Sequence, residues 1–253
     1  MKLGAQLYTV RDFCKTPEDM KSSLEKVRAI GYRAVQLSAH NPEIPAEDIA
    51  KWCAELDLEV ACTHMAWQKY VDNLQTVIDE HKIWDCKYPG VGSMPREYAQ
   101  DAAGFERFAK EASAIAKKLD AHGLHFIYHN HAFEFARFGR LTGMDILLRD
   151  TAPEFQFELD THWVQCGGGD PAAWIYKVEG RMDVVHFKDM AASAERKPVI
   201  CEIGEGNLNW DAIIGACLET GVQYALVEQD VSTRDPFESL AMSFDYLASR
   251  GVY

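Results

Sequence analysis

The chain alternates eight times between a short β-rich run and a longer segment with helical periodicity. The β-rich runs are predicted at residues 3–7, 34–37, 59–63, 87–91, 124–129, 155–159, 183–187 and 224–228. The helical segments are predicted at 17–30, 45–56, 73–81, 96–122, 144–150, 171–178, 209–220 and 236–249. Such alternation favours parallel strands joined by crossover helices. A length of 253 residues suits eight units in a single α/β barrel domain covering residues 1–253.

The residues between the segments support this arrangement. Gly31, Gly123 and Gly221 each separate a helical segment from the next strand, where a glycine can end a helix in the left-handed conformation. The alternative is an open, doubly wound sheet, which often carries a glycine-rich fingerprint after its first strand. Here the first strand is followed by the sequence YTVRD at residues 8–12, without that fingerprint. We therefore predict a closed (β/α)8 TIM barrel.

The composition restricts the partners of the chain. A formal net charge of −13 and a pI near 5.1 disfavour a nucleic-acid backbone or an anionic membrane surface. No apolar stretch approaches the roughly 18 residues that a membrane span needs. Seven cysteines without a CxxC pair, and no visible secretory leader, indicate reduced thiols in a cytoplasmic protein. A small molecule is therefore the expected partner.

Polar side chains occupy the ends of most predicted strands. Alternate side chains of a barrel strand face inward, and the last inward position lies at the C-terminal mouth, where barrel enzymes have their active sites. This rule places eight side chains at the mouth: Gln6, Gln36, His64, His129, Asp160, His186, Lys188 and Glu228. Because an unpaired buried charge is costly, such a rim requires a metal, a ligand or mutual pairing.

Three of these residues form the most specific pattern. Asp160, His186 and Glu228 follow three different strands, which would bring them to one place if the strands are neighbours. Two carboxylates and an imidazole can hold a divalent ion and perform acid–base chemistry. The structural alternative is a buried ion pair inside the barrel.

Six stretches carry a resemblance to a known family. They lie at residues 3–12, 128–135, 159–163, 186–190, 204–208 and 227–230. Together they resemble the xylose isomerase-like barrel superfamily, often described as sugar phosphate isomerase/epimerase, and the similarity runs nearly end to end. The resemblance implies a metal-dependent isomerase, epimerase or dehydratase near the inosose dehydratases and the enzymes of keto-sugars. It implies proton abstraction next to a carbonyl through an enediolate.

The resemblance also implies a ligand set of Glu, Asp, His and Glu on strands five to eight. Asp160, His186 and Glu228 match the last three, but the fifth strand offers His129 instead of a carboxylate. Either His129 takes that place, or Glu134 reaches in from the following loop, or metal binding is weakened; His129 is the preferred ligand. Such a set suits one Mn²⁺, Co²⁺ or Zn²⁺ ion, and Mg²⁺ less well, with manganese favoured.

The remaining candidates concern catalysis. His131 or Glu134 is the expected base, because an imidazole titrates near neutral pH and a carboxylate beside a metal can move a proton. Lys188 is expected to anchor a substrate oxygen or to stabilise an enolate. The structural alternatives are an exposed loop histidine, a surface glutamate and an ion pair between Lys188 and Glu158.

A further group of residues is expected to contact a sugar: Gln6, Gln36, His64, His162, Trp163 and Glu205. A mutual hydrogen bond between the glutamines, core packing of Trp163 and an ordinary turn at Glu205 are the structural alternatives. Two other functions remain open, a non-catalytic sugar-binding barrel and an endonuclease IV-like repair enzyme, and the negative charge opposes the second. The sequence leaves open the substrate, the choice among the three reactions and whether the chain forms a homo-oligomer.

Overall fold

The structure, a computed structural model, describes residues 1–253. Twelve strands form, and eight of them make a closed, parallel barrel in which consecutive barrel strands are neighbours. The barrel strands are β1 (Lys2–Gln6), β2 (Ala34–Leu37), β3 (Glu59–His64), β4 (Tyr88–Val91), β5 (Phe126–His129), β8 (Phe155–Asp160), β9 (Val184–Phe187) and β12 (Tyr224–Val227). β1 pairs with both β2 and β12, which closes the barrel. The prediction of a (β/α)8 barrel is confirmed.

Two antiparallel pairs lie outside the barrel. β6 (Arg137–Phe138) pairs with β7 (Leu141–Thr142), and β10 (Asp189–Ala192) pairs with β11 (Pro198–Cys201). The second pair is a hairpin that follows β9 at the C-terminal mouth, and it was not predicted from the sequence.

Ten α-helices surround the barrel, with 3₁₀ turns at Leu7–Phe13 and Phe133–Phe135. The helices are α1 (Pro17–Ile30), α2 (Ala46–Glu55), α3 (Trp67–Asp72), α4 (Leu74–Ile83), α5 (Ala102–Asp120), α6 (Gly143–Asp150), α7 (Thr161–Cys166), α8 (Pro171–Lys177), α9 (Trp210–Glu219) and α10 (Pro236–Ser249). None of them combines the length and the apolar character that crossing a bilayer requires.

Side-chain caps explain where several helices begin. The Thr16 hydroxyl accepts a hydrogen bond from the Asp19 amide at 3.1 Å, which fixes the start of α1. Thr142 and Asp145 form a reciprocal capping box at the start of α6. The Asp101 carboxylate accepts from the Gly104 amide at 2.8 Å, so α5 starts at residue 102 rather than at the predicted residue 96.

The apolar core lies mainly between the barrel and the helices. Phe108 of α5 packs against Tyr128 of β5 with ring centroids 5.4 Å apart, and both side chains are fully buried. A smaller cluster fills the inside of the barrel and contains Ala34, Ala61, Cys62, Tyr88, Ile127, Val184 and Leu226. Toward the C-terminal ends of the strands, the buried side chains inside the barrel are polar instead of apolar. The apolar cluster therefore lies beneath these polar residues.

Asp189 organises the loops that follow β9. Its buried carboxylate accepts hydrogen bonds from four backbone amides, those of Met190, Gly204, Gly206 and Leu208, and from the Trp210 indole N–H at 2.6 Å. Position 206 requires a glycine, because an added Cβ would lie 2.2 Å from Asp189 Oδ1. One carboxylate therefore joins the β10–β11 hairpin to the loop before α9.

Candidate active site

Four of the predicted side chains meet at the C-terminal ends of adjacent strands. His129 ends β5, Asp160 ends β8, His186 lies in β9, and Glu228 directly follows β12. The register pairs Asp160 with His186, and the Glu228 amide bonds to the Phe187 carbonyl at 3.1 Å. All four side chains are buried, and their potential ligand atoms all lie within 4.8 Å of one another. We call these four residues the mouth cluster.

Outer hydrogen bonds orient both imidazoles of the mouth cluster. His129 Nδ1 lies 3.1 Å from the Gly92 carbonyl oxygen, which leaves Nε2 facing Asp160 Oδ2 at 3.3 Å. His186 Nε2 lies 2.5 Å from the Gln36 amide oxygen, and Nδ1 faces Glu228 Oε2 at 3.1 Å. Metal-binding histidines typically use the second ring nitrogen in this way.

A second polar layer lies beneath the mouth cluster and centres on Glu158. This buried carboxylate contacts His64 Nε2 at 2.5 Å, Gln36 Nε2 at 3.0 Å and His186 Nε2 at 3.1 Å. Burial opposes the charged form, but His186 and His64 outweigh burial and keep the pKa of Glu158 well below its ordinary value. The layer fixes the ring of His186 from below, and the Gln36 side chain bonds to Glu158 and His186 rather than to its register neighbour Gln6.

Lys188 extends into the mouth cluster. Its side chain is 1% exposed, and Nζ lies 2.8 Å from Glu228 Oε2, 2.9 Å from Asp230 Oδ2 and 3.3 Å from Asp160 Oδ2. Burial alone would lower the pKa of Lys188, but these three carboxylates raise it. The ammonium pairs with these three residues, whereas the carboxylate of Glu158 pairs with histidines.

The charges of the mouth cluster are strongly coupled. Burial opposes ionisation of Asp160, but Lys188 and His129 lower its pKa to about 2. Burial also opposes protonation of His186, but Glu158 and Glu228 raise its pKa to about 10. Burial is again outweighed at Glu228, whose pKa is held well below its ordinary value by Lys188 and His186. The carboxylates are therefore ionised and paired with two internal cations.

The mouth cluster fits a divalent metal ion in its donor chemistry. Two imidazoles and two carboxylates are common ligands of Zn²⁺, Mn²⁺ and Co²⁺. Ligands on opposite sides of such an ion lie about 4.4 Å apart at most, so a spread of 4.8 Å requires only a small contraction. An ion would share Asp160 and Glu228 oxygens with Lys188 and would require loss of the His186 proton.

A cavity of about 590 Å³ opens above the mouth cluster. Its lining residues are Tyr8, Ser38, His64, Met65, Ala66, Gly92, Ser93, His129, His131, Lys188, Glu228 and Asp230. It therefore unites the predicted residues His64, His129, His131, Lys188 and Glu228. A volume of this size accommodates a small molecule such as a monosaccharide.

Two aromatic rings lie beside His131, and the predicted residue Trp163 is behind it, outside the residues that line the cavity. The His131 ring lies 5.3 Å from the Trp163 ring and 4.9 Å from the His129 ring. Lys188 Nζ lies 5.3 Å from the centre of the Trp163 ring. Burial and the neighbouring His129 lower the pKa of His131 to about 3, so this imidazole is neutral at physiological pH.

Four other predicted residues lie outside the cavity lining. Gln6 is buried, and its side-chain oxygen accepts from the Tyr8 amide at 3.1 Å. The Glu134 carboxylate is buried between the Tyr128 hydroxyl at 2.7 Å and the His131 amide at 2.8 Å, and burial raises its pKa to about 8. His162 turns toward the β10–β11 hairpin, and Glu205 is exposed in the loop after it.

Two residues of the site were not selected from the sequence. Asp230 lines the cavity and binds Lys188, and Glu158 holds the lower layer together. Each lies two residues from a predicted ligand, Glu228 or Asp160. Extending the inward alternation by one position beyond Glu228 would have identified Asp230. Glu158 was considered only as an ion-pair partner of Lys188, and its pairing with His64 and His186 was not predicted.

The comparisons with known proteins agree with this architecture. A family model described as xylose isomerase-like TIM barrel matches residues 24–249. The chain belongs to this family. No curated protein matches the chain.

Several solved structures are similar to this family member. A sugar phosphate isomerase/epimerase from Parabacteroides distasonis is 22% identical with a TM-score of 0.84, covering 97% of this chain and 93% of that one. A probable 3-DHS dehydratase from Bacillus anthracis is 14% identical with a TM-score of 0.77, covering 99% and 100%. An L-ribulose 3-epimerase is 16% identical with a TM-score of 0.73, covering 98% and 94%. At these identities the similarity shows the shared fold.

Proposed function

We propose that this protein is an isomerase, epimerase or dehydratase that acts on a keto-sugar or an inosose with one divalent metal ion, with Mn²⁺ favoured. The proposal rests on one observation. The mouth cluster lies beneath a cavity of about 590 Å³, and two groups suited to proton transfer and charge stabilisation, His131 and Lys188, line the same cavity. The family assignment and the solved structures of isomerases, epimerases and a dehydratase with this fold support the same class.

His129, Asp160, His186 and Glu228 would hold the ion. A divalent ion bound there acts as a Lewis acid that polarises a substrate carbonyl and makes the adjacent C–H bond more acidic. The Gly92 carbonyl and the Gln36 side chain keep the two imidazoles turned toward the ligand position. The chain thus supplies both the ligands and the groups that orient them.

His131 is the proposed base. Its ring lines the cavity, and it is neutral because its pKa is lowered to about 3. A neutral imidazole can accept a proton from a substrate carbon. Glu134 is proposed to hold the backbone of His131 in position rather than to contact substrate, because its carboxylate accepts a hydrogen bond from the His131 backbone N–H at 2.8 Å.

Lys188 is the proposed stabiliser of negative charge on the substrate oxygen. Its ammonium lines the cavity and is fixed by Glu228 and Asp230 at 2.8 and 2.9 Å. A positive charge held in place before the reaction lowers the cost of an enediolate oxygen anion. His64 and Ser38, also in the lining, provide hydrogen-bonding groups for sugar hydroxyls.

The decisive experiment follows hydrogen exchange at carbon. The protein, purified without chelator and assayed for bound metal by mass spectrometry, is incubated in D₂O with inososes, keto-sugars and ketohexoses. We expect deuterium to enter a carbon next to the carbonyl of one substrate. His131→Asn should abolish the exchange, whereas His122→Asn, at an exposed histidine outside the site, should retain it. Exchange that persists in His131→Asn would refute the assigned base.

A non-catalytic sugar-binding barrel is the second candidate. The observation that favours it is the pairing of Asp160 and Glu228 with Lys188 and of Glu228 with His186, which offsets their charges with groups of the chain itself. Saturable sugar binding with no deuterium exchange on any substrate would select this function. Nuclease activity is disfavoured by the net charge of −13, and an assay on abasic DNA tests it directly.

A further inference from the structure

A second group of metal-binding donor atoms lies outside the mouth cluster and its cavity. His162 and Cys166 are four residues apart in α7 and therefore project from the same side of the helix. The β10–β11 hairpin brings Met190 to the same place. Cys166 Sγ lies 3.4 Å from His162 Nε2 and 3.5 Å from Met190 Sδ.

The His162 ring is already oriented as a ligand. The side chain is almost fully buried, and Nδ1 lies 3.3 Å from the Asp189 carbonyl oxygen. A carbonyl oxygen only accepts hydrogen bonds, so Nδ1 carries the proton in this contact. The lone pair of Nε2 therefore points toward Cys166, as in imidazoles whose second nitrogen is held by a backbone carbonyl in metal sites.

We propose that His162, Cys166 and Met190 bind one soft monovalent metal ion, with Cu(I) as the chemical class. A thiolate, a thioether and an imidazole prefer soft ions, whereas Mg²⁺ and Ca²⁺ require oxygen ligands. Donor atoms 3.4 and 3.5 Å apart can share one ion at bond lengths of about 2.0–2.3 Å. The site is thus chemically distinct from the mouth cluster, whose carboxylates suit a divalent ion.

The site has an opening for an ion. A separate cavity of about 410 Å³ is lined by Gln165, Cys166, Met190 and residues 191–193 and 196–198 of the hairpin. Cys166 is only half-buried. Burial raises the pKa of its thiol, so binding exchanges the thiol proton for Cu(I): the S–H bond breaks, an S–Cu bond forms, and one proton leaves. The charge of the site is unchanged by this exchange.

The test uses the full chain under anaerobic, reducing conditions. Cu(I) is titrated in competition with the chromophoric chelator bicinchoninate. We expect one tightly bound equivalent, weakened more than about 100-fold by Cys166→Ser and about 10-fold by Met190→Leu. Cys201→Ser, at the other half-buried cysteine, should bind as the natural chain does.

Met190→Leu keeps the apolar volume of the side chain, and circular dichroism of each variant establishes that it is folded. Unchanged Cu(I) affinity in both Cys166→Ser and Met190→Leu would overturn the proposal. Equal weakening by Cys201→Ser would overturn it as well, because the ion would then depend on a different thiol.

Discussion

Replacing Lys188 by methionine tests how far one buried ammonium determines the properties of the mouth cluster. Nζ lies 2.8, 2.9 and 3.3 Å from oxygens of Glu228, Asp230 and Asp160. At an effective dielectric constant of about 20, each contact corresponds to about 5–6 kcal/mol of attraction, most of which desolvation offsets. Removing one partner of a buried ion pair costs about 3–5 kcal/mol. We therefore expect the metal-free variant to unfold roughly 6–20 °C below the natural chain.

The same substitution should strengthen metal binding. In the natural chain an ion at the proposed site would share the Asp160 and Glu228 oxygens with the ammonium, whereas Lys188→Met removes the ammonium from those oxygens. Two of the three ionic contacts are involved, so about 2–3 kcal/mol of the lost pairing energy should reappear as metal affinity. This corresponds to a dissociation constant lowered about 30- to 150-fold for Mn²⁺ or Zn²⁺.

Two measurements check this reasoning. Chelator competition gives the metal affinity, and thermal unfolding with and without EDTA gives the stability of each state. Lys110→Met is the matched control, because Lys110 is exposed on α5 and forms no ion pair. A Lys188→Met protein with the metal affinity and metal-free melting temperature of the natural chain would refute the role of the ammonium as an internal competitor.

Three further perturbations probe buried groups outside the proposed metal ligands. Burial lowers the pKa of His81 from 6.5 to about 4, so the unfolded state binds a proton at a higher pH than the folded state does. The free energy of unfolding should therefore fall by about 3 kcal/mol as the pH drops through this range. In urea titrations, His81→Gln should reduce this dependence of stability on pH. Burial raises the pKa of Glu134 from 4.5 to about 8, so its contribution should be lost, by up to about 5 kcal/mol, as the pH rises between these values. Glu134→Gln should remove that loss, and a dependence of stability on pH that persists in this variant, measured by thermal unfolding between pH 4.5 and 8, would contradict the assignment. Asp189→Asn replaces an acceptor of five N–H groups and should cost about 3–5 kcal/mol, with the 203–210 loop becoming sensitive to limited proteolysis; an unchanged melting temperature would contradict this role.

The architecture was predictable because it depends on periodicity, which is local. Each barrel strand was predicted to within two residues of its observed bounds, and the alternation of strand and helix determined the closed topology. The β10–β11 hairpin was not predicted, because β10 follows β9 after a single residue and its sequence contains no turn signal between them. Its position depends on the Asp189 carboxylate and its distant donors, a tertiary arrangement without a local signature.

The candidate site was predictable in its members and not in its pairings. Inward alternation placed His129, Asp160, His186 and Glu228 at one mouth, where the structure brings them together. The partners of Lys188 and Glu134 depend on side-chain direction. Lys188 reaches three carboxylates on neighbouring strands, whereas Glu134 folds back onto its own loop. The spacing of the strands in the sequence does not predict which groups the side chains of Lys188 and Glu134 contact.

The His186 ring faces two environments at once, with one nitrogen toward Glu228 and the other toward Gln36 and Glu158. This dual engagement has a consequence for redesign of the protein. A substitution intended to alter the mouth cluster at this position also leaves Gln36 and Glu158 without their partner. Libraries that vary position 186 alone should therefore yield mostly unstable proteins, and productive variants should require simultaneous changes at positions 36 and 158.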